Sequence, residues 1–496
     1  MTNEAVGEAA DQQVADILDT PHAGPAVIRG GALRATAYTA GFLLSAAATP
    51  LLVRHLGVVD FGRYVTVTSI IMIASALTDA GLTNIGVREY SLRPPEGRDR
   101  LMRNLLGMRL VLTTAAALLA IAFSLVVGYP SVVVAGTALA GVGMMTNVLQ
   151  GTFAVPLSFS LRLRAISALE FLRQVATVAL ILALVLAGAS LLPFFTVTIA
   201  GGATALIGTM ILVRGSAPLR PAADRDEWWL LLRDGLAYAA ASAVGIIYFR
   251  VEVVLLSLIS TDRQTGFYGT AFRIVEVVAG VPFLANLSAF PMLARSARDD
   301  RGRFGYQLER IFEISMIAGV WVGIVLGVGA HFAIRVVAGN GFGPSVVVLQ
   351  ILAVSTAATF LLSIGGFALL ALRRHAQLLI ANGIALVLAV GLTLALAPAH
   401  GAKGAAIATA VTEFVLAGTY AVMLLRREPD LRPSLIVLPK VLLAAAAAVA
   451  AGVLPSIPDV VGVVVSSAVY LVLLLVLRGI PAELFEAFGL RRRRAG

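Results

Sequence analysis

Apolar runs of about 20 residues recur along nearly the whole chain, separated by short segments that carry most of the arginines. A bilayer core of about 30 Å is crossed by about 20 residues of apolar helix. Looser structure is excluded, because backbone groups left unpaired in lipid are too unfavourable. The pattern predicts an all-α polytopic membrane protein with about 14 transmembrane helices. We place them at 32–53, 64–86, 104–127, 131–155, 166–187, 191–213, 230–258, 267–294, 307–331, 345–370, 375–397, 403–425, 435–453 and 459–478.

Composition agrees with this class. Of 496 residues, 59% are hydrophobic and only 13% are charged, whereas a soluble chain carries about 25% charged residues. The net charge of +10 is of the sign that nucleic acids attract. However, the arginines stand at the ends of the predicted helices and form no basic face, so we expect no nucleic-acid partner.

The distribution of Lys and Arg predicts the orientation of the helices. Cytoplasmic loops of membrane proteins carry an excess of these residues. If the N-terminus is cytoplasmic, all but five of the Lys and Arg residues outside the predicted helices fall on the cytoplasmic side. The exceptions are Arg54, Arg63, Arg263, Arg335 and Lys403. We therefore expect an even number of helices with both termini cytoplasmic.

The loops between the predicted helices limit the function. Every predicted outer loop is short, the longest lying near 331–344, and no soluble catalytic domain fits between the spans. The chain has no GxxxxGK[ST] phosphate loop, no HExxH cluster and no cysteine. We therefore expect no catalytic residue, no metal and no nucleotide-driven engine. A transporter, channel or flippase remains.

A short repeat relates the two halves of the chain. Gly62-x-Tyr64 opens the second predicted helix and Gly266-x-Tyr268 the eighth. Six helices lie between them, so the two halves share one orientation, as in a parallel pseudo-two-fold repeat. The glycines permit a tight helix entry, and we expect the tyrosines to lie in the aromatic belt at the membrane surface.

This repeat predicts two six-helix lobes and two additional C-terminal helices. Residues 1–28 are expected to form an acidic cytoplasmic tail, because they lack the cationic start and apolar core of a signal peptide. The remaining predicted units are the N-lobe (29–213), a cytoplasmic linker (214–229), the C-lobe (230–425), the last two helices (426–478) and a basic cytoplasmic tail (479–496).

Four stretches resemble a known family: RHLGVVDFGRY (54–64), YFRVEVVLLSLISTDRQTGFYGTAFRIVEV (248–277), VVLQILAVSTAATFLLSIGGFALLALRR (347–374) and HGAKGAAIATAVTEFVLAGTY (400–420). Together they resemble the polysaccharide-exporting, O-antigen-flippase (Wzx-type) branch of the multidrug/oligosaccharidyl-lipid/polysaccharide (MOP) exporter superfamily. The resemblance implies a V-shaped pair of lobes around a cavity in the bacterial inner membrane. It also implies alternating-access export of a polyprenyl-diphosphate-linked glycan. The small residues of GAAIAT we interpret as a helix-packing surface.

Ionisable residues inside the membrane are the candidates for function. Arg250 and Arg273 are predicted at similar depth on adjacent helices, and two guanidinium groups there would clamp a diphosphate. The alternative is that each pairs with Glu252 or Glu276 and holds the lobe together. Glu252 and Glu276 are therefore secondary cavity candidates.

Other candidates concern coupling and sugar binding. Asp79 has no basic residue one turn away, so its partner must lie on another helix or it is protonated. It is our first candidate for proton or sodium coupling, and Glu413 is the second. Asn147 and Gln150 are candidates for binding sugar hydroxyls, although buried amides more often join helices.

We predict a flippase that moves a polyprenyl-diphosphate-linked oligosaccharide for cell-surface polysaccharide synthesis. It needs no cofactor, and an H⁺ or Na⁺ gradient or the membrane potential supplies the energy. Membrane lipids and other polysaccharide-assembly proteins are the further expected partners. Two alternatives stay open: a lipid II flippase, and a cation-coupled multidrug or metabolite antiporter. A glycan polymerase is disfavoured because no large outer loop exists.

Overall fold

The computed structural model describes residues 23–79, 81–160, 162–214, 220–427, 436–454 and 458–481. Most of the two predicted tails lies outside these residues. The described residues form helices joined by short turns.

In the first half the helices are α1 (Ala23–Asp79), α2 (Leu82–Leu92), α3 (Pro95–Val126), α4 (Ser131–Phe153), α5 (Val155–Phe159), α6 (Leu163–Leu186), α7 (Leu191–Phe194) and α8 (Val197–Leu212). In the second half they are α9 (Arg225–Ile259), α10 (Asp262–Asp299), α11 (Arg301–Val328), α12 (Ala330–Ala338), α13 (Ser345–Ala371), α14 (His375–Arg427), α15 (Val437–Gly452) and α16 (Asp459–Val476).

Two glycines bend the longest helices. Gly57 (φ 69°, ψ −178°) interrupts α1, and Gly401 (φ 54°, ψ −130°) interrupts α14. Both backbones lie in a region that residues with a Cβ rarely adopt. Each bend separates two of the predicted spans, so that the chain reverses direction within a few residues.

Eleven helices of the described residues are long and apolar enough to cross a membrane, and the protein is a multi-pass membrane protein. Two of these helices contain the bends at Gly57 and Gly401. The predicted span 435–453 corresponds to α15, which has 16 residues. The total of about 14 spans and the internal repeat remain predictions.

Two helical segments lie outside the predicted spans. The helix α9 begins at Arg225 instead of residue 230, because the Asp224 side chain accepts hydrogen bonds from the amides of Asp226 and Glu227 and caps the helix. The segment predicted as the longest outer loop instead contains α12 and a 3₁₀ turn at Asn340–Phe342.

We name the two ends of the molecule after residues found there. The Gly57 end holds the bends at Gly57 and Gly401 and the turn between α9 and α10. The Asp224 end holds the turns after α2, α10 and α13 and the start of α9. At the Asp224 end, a hydrogen bond from Arg100 holds the pKa of Asp224 below its ordinary value. The arginine distribution predicts that the Asp224 end is cytoplasmic.

Each half of the chain packs mainly on itself. In the first half α1 packs along α6, and α4 packs on α3 and α8. In the second half α9 packs along α14, and α13 packs on α10, α11 and α14. The helices α9 and α10 also lie against α1, which joins the halves. The last two helices pack on each other and on α11.

The GAAIAT segment packs as its small residues predict. Ala402, Ala405, Ala406 and Ala408 are each at most 2% exposed. A methyl group added to Gly404 would lie 2.4 Å from the carbonyl oxygen of Leu396. The two arms of α14 therefore approach closely only because these side chains are small.

The two bends make a stability prediction. Gly57→Ala should lower the free energy of unfolding by about 1–3 kcal/mol through backbone strain. No steric clash adds to this effect, because nothing lies within 4 Å of the added methyl group. Gly401→Ala should lower the free energy of unfolding further, because the methyl group would lie 2.6 Å from Gln264 Oε1, which accepts a hydrogen bond from the Ala402 amide.

Thermal unfolding in detergent measures both changes. Gly391→Ala is the matched control, since Gly391 lies within a helical arm with open space around it. Equal melting temperatures for Gly401→Ala and Gly391→Ala would contradict the assigned strain.

Candidate functional site

A cavity of about 430 Å³ lies between the two halves of the chain. The first half contributes residues of α1, α4, α6 and α8, and the second half residues of α9 and α10. Its polar lining residues include Ser45, Thr49, Tyr64, Thr68, Ser75, Asn147, Thr177, Arg250, Arg273 and Glu276. The cavity therefore offers hydroxyls on one wall and a charged cluster on the other.

The charged cluster consists of Arg250, Arg273 and Glu276, and we call it the arginine cluster. One oxygen of Glu276 accepts a hydrogen bond from Arg250, and the other accepts one from Arg273 at 2.7 Å. A single carboxylate thus serves two guanidinium groups. With all three groups ionised, the cluster carries a net charge of +1.

The two helices bring the arginines together because they form a hairpin. Arg250 lies nine residues before the end of α9, and Arg273 lies eleven residues into α10, which begins at Asp262 and not at the predicted 267. The guanidinium of Arg250 also lies 5.2 Å from the Phe249 ring centre and 5.7 Å from that of Phe272. These contacts support a cation that is only 5% exposed.

The opposite wall is polar but less charged. Tyr64 stacks on Phe195 with ring centres 5.6 Å apart. Asn147 accepts a hydrogen bond from Arg173 at 3.2 Å, and Arg173 is ion-paired with Glu170 on the same helix. Gln150 does not share this position. It donates to Thr209 at 3.3 Å and so joins α4 to α8.

The Gly57 end is closed by a direct contact between the halves. A methyl group on Gly62 would lie 2.0 Å from the Asp262 carbonyl oxygen, and one on Gly266 would lie 2.0 Å from the Val58 carbonyl oxygen. The two glycines of the sequence repeat therefore lie at each other's helix entry. We call this contact the glycine crossing; only residues without a Cβ permit it.

Two arginines reinforce the glycine crossing. Arg63 donates to Asp262 at 2.7 Å, which links α1 to α10. Arg54 donates to the backbone carbonyl oxygens of Arg335 (3.0 Å) and Val336 (2.5 Å), near the C-terminus of α12, where the helix dipole favours a cation.

Asp79 has a basic partner on another helix. Arg109 of α3 donates to its carboxylate at 2.8 Å and to Thr83 at 2.8 Å. The Arg109 side chain is 0% exposed, whereas that of Asp79 is 49% exposed. Asp79 is therefore a paired carboxylate with an open face.

Glu252 and Glu413 lie inside the second half, away from the arginine cluster. Glu252 accepts hydrogen bonds from Tyr268 (2.8 Å) and Thr409, and Glu413 accepts one from Thr359 at 2.7 Å. The expectation that Tyr268 belongs to an interfacial belt was wrong. Its ring is 0% exposed, because its hydroxyl has a buried carboxylate to bind.

Sequence reasoning missed Arg54, Arg63 and Arg109. The signal for the first two was present, since both are exceptions to the charge distribution of the loops. Arg109 stands within an apolar run and so qualified as a candidate, but its partner Asp79 is 30 residues away in the chain.

These features define a class of protein: a multi-pass helical membrane protein with a polar cavity between its two halves. "Lipid II flippase MurJ, inward closed conformation" matches with a TM-score of 0.73 at 12% identity, covering 92% of this chain and 100% of that one. An inward-facing multidrug resistance MATE family transporter of the MOP superfamily matches with a TM-score of 0.65 at 14% identity, covering 79% and 95%. A MOP superfamily transporter from Pyrococcus furiosus matches with a TM-score of 0.57 at 14% identity, covering 82% and 96%.

These likenesses show the fold, which is that of the MOP exporter superfamily. The family model "Polysaccharide biosynthesis protein" matches residues 27–297. The chain belongs to this family. No curated protein matches the sequence.

The ion pair at the Gly57 end makes a conformational prediction. Asp262→Arg should place two cations together beside the glycine crossing and separate the halves there. Exchanging the charges with Arg63→Asp/Asp262→Arg should restore the contact.

Pulsed electron paramagnetic resonance measures this distance. The chain has no cysteine, so spin labels at Val59→Cys and Arg263→Cys report on α1 and α10 without background. We expect a longer distance distribution in Asp262→Arg and a distribution near the original in the exchanged variant. Identical distributions in all three proteins would show that the ion pair does not hold this end closed.

Proposed function

We propose that this protein is a Wzx-type flippase, which carries a polyprenyl-diphosphate-linked oligosaccharide across the bacterial inner membrane for cell-surface polysaccharide synthesis. Membership of the polysaccharide biosynthesis family supports the substrate class. The observation that carries the proposal is the arginine cluster, with two guanidinium groups sharing one carboxylate on the cavity wall.

The arginine cluster suits a diphosphate for reasons of charge and geometry. Guanidinium groups present several donors in a plane and bind phosphate oxygens in pairs. Glu276 supplies only one negative charge to two arginines, so the cavity keeps a net attraction for anions. Arg250 also has one unused hydrogen-bond donor, because its Nε has no partner among the described residues.

Glu276 would stabilise the empty carrier. Two unpaired arginines inside a membrane protein are strongly unfavourable, and the carboxylate reduces this cost when no substrate is present. A bound diphosphate takes over part of this role, and the prenyl tail remains in lipid. The hydroxyl groups of the opposite wall then face the first sugar.

Closure of the Gly57 end supports alternating access. The cavity is sealed at the glycine crossing, so in this state a substrate reaches it from the Asp224 end or from the side. Separation of the halves at the Gly57 end, with approach at the Asp224 end, would release it on the opposite face.

Transport of a fluorescent polyprenyl-diphosphate oligosaccharide in proteoliposomes tests the proposal. Arg250→Ala/Arg273→Ala should reduce transport by at least about 100-fold, since charge-assisted hydrogen bonds from two guanidinium groups are lost. Arg298→Ala is the matched control, because Arg298 is an exposed arginine near the other end of α10.

The outcomes separate the alternatives. Loss of transport in the double variant, with folding and the Arg298→Ala control intact, supports the flippase. Equal or better transport of lipid II by the original protein would assign it to cell-wall synthesis. Export of cationic dyes without lipid transport would contradict the proposal and favour an antiporter.

We further propose that Glu252 and Glu413 bind the proton or Na⁺ whose gradient drives transport. Both side chains are at most 5% exposed, and among the described residues neither takes part in an ion pair. One oxygen of Glu252 also lacks a hydrogen-bond partner there. A buried carboxylate without a cation is unfavourable, so these positions suit a proton or Na⁺. Asp79 fits this role less well, because Arg109 already neutralises it.

Glu252→Gln and Glu413→Gln should remove the response of transport to an imposed H⁺ or Na⁺ gradient, while slow equilibration of the substrate persists. Glu96→Gln, a change to an exposed carboxylate at the start of α3, serves as the control. Accumulation against a gradient that is unchanged in both buried variants would rule out this coupling site.

A further inference from the structure

A second cavity of about 310 Å³ adjoins the first. The two cavities share Met72 and Ser75. The lining of the second is completed by Ala76, Asp79, Gly81, Thr83, Asn84, Ser242 and Ile246, so that α1 and α2 form one wall and α9 the other. It lies on the Asp224 side of the first cavity.

Asp79 is held in this cavity by a buried support. Arg109, with a side chain that is 0% exposed, binds Asp79, Thr83, Thr152 and the Val148 carbonyl oxygen from behind. Because the guanidinium takes up one carboxylate oxygen, the other oxygen stays available to the cavity. A charged carboxylate at this depth of a membrane protein is unfavourable unless its polar atoms have partners. The exposed oxygen of Asp79 is therefore a candidate for binding a ligand.

The charge of this cavity differs from that of the arginine cluster. The Asp79–Arg109 pair is neutral overall, and the remaining polar lining consists of hydroxyls, backbone and one amide. Carboxylate and amide oxygens accept hydrogen bonds and amide nitrogen donates them, which matches neighbouring hydroxyls of a neutral sugar. Such a cavity offers little attraction to a diphosphate or to a free cation.

The distance from the arginine cluster to Asp79 fits an extended glycan. Tyr64 lies beside the arginine cluster and Asp79 lies fifteen residues further along the continuous arm of α1, about 22 Å at 1.5 Å per residue. The glycine crossing closes the Gly57 end. A glycan that follows a diphosphate bound at Arg250 and Arg273 therefore has room in the direction of Asp79.

We propose that Asp79, Asn84 and Ser242 form a subsite for the distal sugars of the lipid-linked glycan, with Arg109 as the positioning residue behind Asp79. This inference rests on the flippase function proposed above. It assigns recognition of the diphosphate to the first cavity and recognition of glycan length and identity to the second.

The test compares two substrates in the same proteoliposomes: a polyprenyl diphosphate bearing one sugar and one bearing a complete oligosaccharide repeat unit. Asp79→Ala and Asn84→Ala should each lower kcat/KM for the long glycan by about tenfold or more, and leave the one-sugar substrate within about twofold. Asn84 is exposed, so its variant folds even if loss of the Arg109 partner destabilises Asp79→Ala. Asp99→Ala, an exposed carboxylate on α3, is the control.

Each outcome decides a separate question. Loss of long-glycan transport alone supports the subsite. Equal losses for both substrates in a folded Asn84→Ala protein overturn it, and so does a loss in Asp79→Ala confined to the gradient response, which would make Asp79 a coupling residue. No transport of either substrate by the original protein overturns the flippase function and the subsite together.

Discussion

A charge inside a membrane protein must be neutralised, and this constraint organises the interior of the structure. Most cations at this depth have a carboxylate of their own, as in the pairs Arg109–Asp79, Arg173–Glu170 and Arg310–Glu313. The arginine cluster departs from this balance, since Arg250 and Arg273 share Glu276. Among the described residues, the cavity thus holds more positive than negative charge, which is why we propose an anionic substrate for it.

The same constraint separates three regions by their chemistry. The arginine cluster has surplus positive charge, and the Asp79–Arg109 pair is neutral and open. Glu252 and Glu413 are buried carboxylates that form no ion pair within the described residues. The glycine crossing closes the cavity at the Gly57 end, so the two ends of the molecule differ in this state. We therefore propose distinct places for the diphosphate, the glycan and the coupling cation.

Sequence patterns predicted much of this arrangement. Apolar runs predicted the helical membrane class, and Glu276 was one of the two carboxylates named as possible partners of Arg250 and Arg273. Contacts between different helices could not be predicted from the sequence, because no periodicity links Arg109 to Asp79 or Tyr268 to Glu252. The repeat glycines were recognised as helix entries, but their contact with each other follows only from how the halves cross. Arg54 and Arg63 were recognised as exceptions to the cytoplasmic location of the arginines. Their contacts with α12 and Asp262 became apparent only in the structure.

The most direct measurement is a structure of the protein bound to a short-chain prenyl diphosphate that carries an oligosaccharide. We expect phosphate oxygens within hydrogen-bond distance of Arg250 and Arg273, with Glu276 displaced from at least one of them, and sugar density leading toward Asp79. Phosphates bound elsewhere, with the Arg250–Glu276–Arg273 contacts unchanged, would contradict the assignment of this cavity to a diphosphate.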